Sequence, residues 1–180
     1  MVREDRFILL GDAVWLDFVN TARGREPNPA DRLGSAPAWE AWLEALQLPG
    51  AAVPFDDVRA LRTHLTDLAS ALATGQPSPS ASVRAINDLL ASVPGGQQLV
   101  RVAGQWQLTF APIAPPGVLA TLARMAAETL ALPSPTIRLC AGPTCSLFLL
   151  DRSPTQYRIW CSPDHCGRGM RVERRRGGQG

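Results

Sequence analysis

Apolar residues recur at helical spacing in four stretches of this chain. Trp39, Trp42, Leu43 and Leu46 stand at positions 0, 3, 4 and 7 of one repeat, with Ser35 placed to cap the helix and Pro49-Gly50 to end it. Val58, Leu61, Leu65, Leu68 and Leu72 carry the same pattern from Asp56-Asp57, whose carboxylates favour a helix start, to Gly75. Val83, Ile86, Leu89 and Leu90 predict the inward face of a helix over about 82–91. Val118, Leu119, Leu122, Met125, Ala126 and Leu130 predict another, opened by Pro115-Pro116.

Shorter apolar runs point to β structure. Leu99–Val102 and Trp106–Phe110 flank Ala103-Gly104-Gln105 and predict a hairpin. Phe7–Leu10 reads as a strand and Gly11-Asp12 as a turn; the run from Val14 reads either as a short helix, with Val14, Trp15, Phe18 and Val19 on one face, or as a further strand, the helix being preferred. Residues 22–34, rich in Arg, Gly, Pro, Asn and Asp, read as a loop. Near the end, Leu147–Leu150 and Tyr157–Trp160 flank a turn-rich 151–156 and predict a second hairpin. Ser162-Pro163 then supplies an N-cap and a first-turn proline for a helix running to about Arg175. The fold class expected is α+β. A mostly helical N-terminal domain with a small β-hairpin spans 1–136, and a C-terminal module of hairpin plus helix spans 137–180.

With 180 residues and 46% hydrophobic content, one ordinary core is affordable in size. No apolar run reaches the roughly eighteen residues a membrane helix needs, and Phe7–Leu10 is too short for a signal sequence. A cytoplasmic protein without membrane association is expected. The net charge of +2 hides an asymmetry. Residues 1–137 hold ten Arg against thirteen Asp and Glu, whereas 138–180 hold eight Arg against three acids, and the chain has no Lys.

All four cysteines lie in that basic part, as Cys140-x4-Cys145 and Cys161-x4-Cys166 with fifteen residues between. Two matching thiol pairs, each forming a tight knuckle, suit a tetrahedral Zn²⁺ site. Four thiolates leave no open coordination position, so one structural zinc ion is expected rather than a catalytic one. In a cytoplasmic chain metal binding is also the commoner use of such thiols. The order of knuckle, hairpin and knuckle merging into a helix is treble-clef-like. His165 neighbours Cys166, but adjacent helical residues point in different directions.

After the last cysteine come Arg168, Arg171, Arg174, Arg175 and Arg176, of which Arg168, Arg171 and Arg175 share a helical face. That face suits double-stranded DNA, or else forms a solvated basic helix end. No nucleophile elbow, P-loop or dinucleotide fingerprint is present, so no enzyme is expected. One further polar group stands in and after the first element: Asp12, Asp17, Asn20, Thr21, Arg23, Arg25 and Asp31. Asp17 and Asn20 either order the following loop or, with Arg25, line a pocket for a small effector.

The cysteine segment resembles the CGNR zinc-finger family. The resemblance rests on Cys140-x4-Cys145, the apolar run ending in Phe148-Leu-Leu-Asp151, then Arg158-x-Trp160-Cys161-Ser162 and Cys166-Gly167. Residues 7–48 resemble its usual N-terminal partner, the ABATE domain, through Leu16-Asp-Phe-Val-Asn-Thr21, Asp31-x-Leu33 and the Trp42 helix. The naming motif reads Cys166-Gly-Arg-Gly169 in this chain. The resemblance implies a bacterial, stress-induced transcription regulator with zinc on Cys140, Cys145, Cys161 and Cys166. It also implies a DNA-binding finger. In such a regulator the helical N-terminal domain is expected to sense a ligand or mediate homo-oligomerisation.

Overall fold

The computed structural model describes residues 7–50 and 52–167. Among them the elements run α1 (Val14–Asn20), α2 (Ala36–Ala45), α3 (Phe55–Ala73), α4 (Ser80–Ala91), β1 (Gly95–Val102), β2 (Gln105–Pro112), α5 (Val118–Leu130), β3 (Ile137–Leu139) and β4 (Phe148–Leu150). A single π-helical turn, Pro163–Gly167, closes the described part.

The helices follow from the periodicity. Leu61, Leu65 and Leu68 of α3 are buried, as are Trp39, Trp42 and Leu43 of α2 and Leu122, Ala123 and Ala126 of α5. They surround α1, in which every residue from Trp15 to Asn20 is buried. A helix of seven residues cannot hold itself together in water, so its stability comes from this enclosure. Phe18 stands 5.6 Å from Trp39 and 5.4 Å from Trp42, and those two rings stack. On the far side the Trp15 indole donates to Thr129 Oγ1 of α5 at 3.1 Å.

Four expectations need correction. Phe7–Leu10 forms no strand: Ile8 and Leu10 pack against the cysteine cluster, and the contact with β4 comes one residue later, where the Gly11 carbonyl accepts from the Leu150 N–H at 2.8 Å. Val83 of α4 points outward at 39% exposure while Ile86 is buried. The first hairpin is longer than the apolar runs suggested, since Gly95-Gly96 and Ala111-Pro112 also join the ladder. Its turn residues Ala103 and Gly104 both have positive φ, the pair of conformations that a two-residue turn matched to strand twist requires.

The fourth correction concerns the zinc module. β4 pairs antiparallel with β3, Ile137 opposite Leu150 and Leu139 opposite Phe148, rather than with 157–160. The first cysteine pair therefore sits in the connection between two short strands. Asp151 explains why 151–158 does not close as a hairpin turn. Its buried carboxylate accepts from the N–H and hydroxyl of Ser153 and from the N–H of Arg158, and it pairs with Arg138 of β3 at 3.2 Å. The following chain is wrapped around one acid. Burial opposes that charge, yet these bonds hold the carboxyl below its usual range.

Ile137, Phe148 and Leu150 belong to the same buried core as the helices. A second, smaller cluster gathers Leu147 and Leu149 with the cysteines. The period-two alternation of β4 thus sends one face to each core. No described helix is long and apolar enough to cross a membrane.

Candidate metal centre

The two knuckles meet. The N–H of Cys161 donates to Cys140 Sγ at 3.2 Å, and the N–H of Ala141 donates to the carbonyl of Ile159 at 2.8 Å. In the first knuckle the N–H of Cys140 donates to the Leu147 carbonyl and that of Cys145 to the Gly142 carbonyl. Gly142 has no room for a side chain: a Cβ there would stand 2.9 Å from Cys166 Sγ and 3.0 Å from Cys145 Cβ. In the second knuckle the N–H of Gly167 reaches the Ser162 carbonyl across the π turn that carries Cys166.

All four sulfurs lie within 4.8 Å of one another. Cys145 and Cys161 are 3.9 Å apart, and Cys161 and Cys166 3.5 Å. Zinc–sulfur bonds of ~2.3 Å make a tetrahedron with edges of about 3.8 Å, so the cluster already has the dimensions of a zinc site. The electrostatics agree. Hydrogen bonds from the Cys145 and Cys161 thiols hold the Cys140 thiol well below its ordinary range. That bonding, with burial, pushes Cys145 up. Burial and the neighbouring Cys161 push Cys166 up to about 12. Thiols this close cannot all ionise beside one another; a dication relieves the repulsion. The four cysteines form a buried structural zinc site, as the spacing predicted. It is held away from solvent, with Cys140, Cys145 and Cys161 buried and Cys166 half-buried.

Arg158 braces the second knuckle from outside. Its guanidinium donates to the carbonyls of Trp160 at 3.0 Å and Cys161 at 2.8 Å, and it pairs with Asp12. Asp12 thereby links the segment before α1 to the zinc module.

The remaining polar residues singled out from the sequence divide among three places. Asn20 is fully buried and grips β4: its amide donates to the Phe148 carbonyl at 2.8 Å and accepts from the Phe148 N–H at 2.9 Å. Arg23 continues that seam, donating to the Ser146 carbonyl with its guanidinium 4.3 Å over the Phe148 ring. The Arg25 carbonyl accepts from Thr144 at 2.6 Å, while its buried Nε has no partner. Asp17 accepts from the N–H of Gly11 at 2.7 Å, and burial pushes its carboxyl up to about 6. It lines a cleft of about 460 Å³ with Asp12, Trp15, Met125, Glu128 and Arg152. Neither Asn20 nor Arg25 lines that cleft.

Asp31 pairs with Arg62 through two bonds, at 2.7 and 2.5 Å, and Arg62 also donates to Thr21 at 3.0 Å. Sequence reading missed Arg62, a buried charge on an otherwise apolar helix face; its position beside Leu61 and Leu65 was the available signal. Arg168, Arg171, Arg174, Arg175 and Arg176 lie outside the described residues, and of the helix expected to carry them the described part, Pro163–Gly167, is a π turn.

A buried cluster of four cysteines built from two knuckles, docked on a helical core, defines a zinc-finger protein. The comparison with known families gives the rest. The family model ABATE, described as "Putative stress-induced transcription regulator", matches residues 12–133, and the CGNR zinc finger matches residues 136–177. The first match covers two thirds of the sequence, so the chain belongs to the ABATE family. No curated protein matches it. The two family descriptions name a regulatory module and a zinc-binding one.

Proposed function

We propose that this zinc-binding regulatory protein contacts double-stranded DNA through the arginine-rich segment that follows its last zinc ligand. One observation carries the reading: the run Arg168, Arg171, Arg174, Arg175 and Arg176 begins two residues after Cys166, itself fixed by the closed metal site. A helix continued from the π turn would complete a treble-clef-like finger over 137–180. It would give Arg168, Arg171 and Arg175 a common face for phosphates. The unit over 1–136 would supply the regulatory input, with the cleft floored by Asp17 as the place for a small effector. The family description supports a role in stress-induced transcription; the resemblance supports a bacterial, cytoplasmic setting.

The test is a salt titration of duplex DNA binding by zinc-loaded protein, repeated with a chelator. Binding should fall steeply with salt and vanish when the metal is removed. The Arg171→Ala/Arg175→Ala variant should bind more weakly. Absence of binding at low salt, or unchanged binding by the variant, ends the proposal.

A second reading has its own support. Two of the three arginines in the described finger are engaged within the protein: Arg138 pairs with Asp151 and donates to the Gln156 carbonyl, and Arg158 holds Asp12 and the second knuckle. A zinc-stapled protein-interaction module without DNA contact would use its arginines this way. The same titration separates the two readings.

A further inference from the structure

The hairpin β1–β2 is the least explained part of the molecule. Its sixteen ladder residues form a two-stranded sheet of its own, with no third strand on either edge among the described residues. A lone hairpin is only marginally stable in water. Its cross-strand pairs put Leu99 opposite Leu108, Arg101 opposite Trp106, and Gln97 opposite Phe110, all on one face. That face is exposed: Leu99 at 63%, Trp106 at 64%, Leu108 at 68% and Phe110 at 51%.

At the base of the hairpin the same face opens onto a groove of about 620 Å³. Its walls are mostly apolar and include Leu90, Val93, Phe110, Pro112 and Ala120. The charged residue among them, Arg124, is paired with Glu128 of its own helix. Residues 92–117 contain one charged side chain, Arg101, and its guanidinium lies over the Trp106 ring. Edge strands are ordinarily protected by charges, prolines or bulges. Here the strand interiors have only that one arginine.

The geometry points to a second copy of this chain as the occupant. We infer a two-fold dimer in which the apolar faces of the two hairpins pack together, each reaching toward the groove at the base of the other. The four apolar side chains leave on the order of 500 Å² in solvent, and the groove beside them brings the surface toward the ~800 Å² that one partner gives to a standard interface. A hairpin face with a single charge offers nothing to an acidic or basic partner, whereas it complements another apolar face. Half of the large exposed hydrophobic residues among those described belong to this hairpin and its next residue, Ile113. The best-matched partner for the face is therefore the face itself. An interface between identical patches closes by two-fold symmetry and does not propagate.

Sedimentation velocity on the zinc-loaded full chain tests this. The wild type should sediment at twice the 19.4 kDa chain mass. Leu108→Arg should weaken the dimer on the order of a hundredfold, because each interface would bury two unpaired guanidinium groups. Trp106→Ser should weaken it less. Both variants change exposed side chains, so zinc content and thermal unfolding of the monomer should stay as in the wild type. Gln107→Arg, on the opposite face, should remain dimeric. A wild type that stays at one chain mass at every concentration overturns the inference, including the case in which it binds lipid vesicles instead. A Leu108→Arg protein that stays dimeric, or a Gln107→Arg protein that dissociates as readily, also overturns it.

Discussion

Asn20 and Phe148, 128 positions apart in the chain, hold each other by a reciprocal pair of hydrogen bonds of 2.8 and 2.9 Å. The side-chain amide of Asn20 serves the outer edge of β4 as the backbone of a neighbouring strand would. Both groups are shut away from water, so truncation leaves a donor and an acceptor of Phe148 unsatisfied. Asn20→Ala should cost about 2–4 kcal/mol of unfolding free energy, measured by urea denaturation. Asn20→Asp should cost at least as much at neutral pH, because a carboxylate cannot donate to the Phe148 carbonyl.

Asp17 predicts an unusual pH dependence. Its carboxyl rises from an ordinary 3.8 to about 6 in the folded chain. The folded state then binds the proton more tightly than the unfolded state, so this residue favours folding at low pH. Its contribution is lost as pH rises from about 4 to about 6, and at neutral pH it opposes folding by about 3 kcal/mol. Asn at this position keeps an acceptor for the Gly11 N–H without the charge. Asp17→Asn should be more stable than wild type at pH 7, and the difference should shrink toward pH 4. Thermal melts across that range check both statements.

Arg62 joins α3 to the loop before α2 by its two-pronged contact with Asp31 and a third bond to Thr21. Lysine cannot reproduce the planar fork. Arg62→Lys should cost about 1–3 kcal/mol in urea denaturation. Because the Arg62 end of the contact is buried, high salt should erase only a small part of the difference.

Zinc removal should disturb more than the finger. Cys161→Ser should abolish stoichiometric zinc binding, and the lost metal contributes on the order of 10 kcal/mol to folding. Phe148 and Leu150 share the core of Trp15, Trp39 and Trp42, so tryptophan fluorescence should change together with loss of the metal. Two well-separated transitions, one for each sequence-family unit, would contradict this account.

The sequence made the long helices legible, because each repeats its apolar positions over two turns or more. It also made the zinc site legible, because four cysteines at matched spacing have few other uses. The partner of β4 was not legible. β3 is three residues long and stops at the first cysteine, too short for any alternation to register. The apolar run at 157–160 looked the better strand, and only the bonds converging on Asp151 turn it away. Phe7–Leu10 misled for a related reason: its residues are strand formers, but Ile8 and Leu10 are apolar to pack on the cysteine cluster and Phe7 to join the main core. The Asn20 clasp had a signal in the Leu16-Asp-Phe-Val-Asn-Thr21 motif, yet nothing local could say what the asparagine holds. The outward turn of Val83 came from rotation of α4 on its neighbours, which a list of apolar positions does not fix.

The division of β4 between two cores has a consequence for the life of the protein in a cell. A newly made chain that has not met zinc lacks one wall of its main core as well as its finger. Such a chain would present loose, apolar segments to proteases and chaperones until the ion arrives. Its steady-state abundance would then follow zinc availability, with no dedicated sensor required.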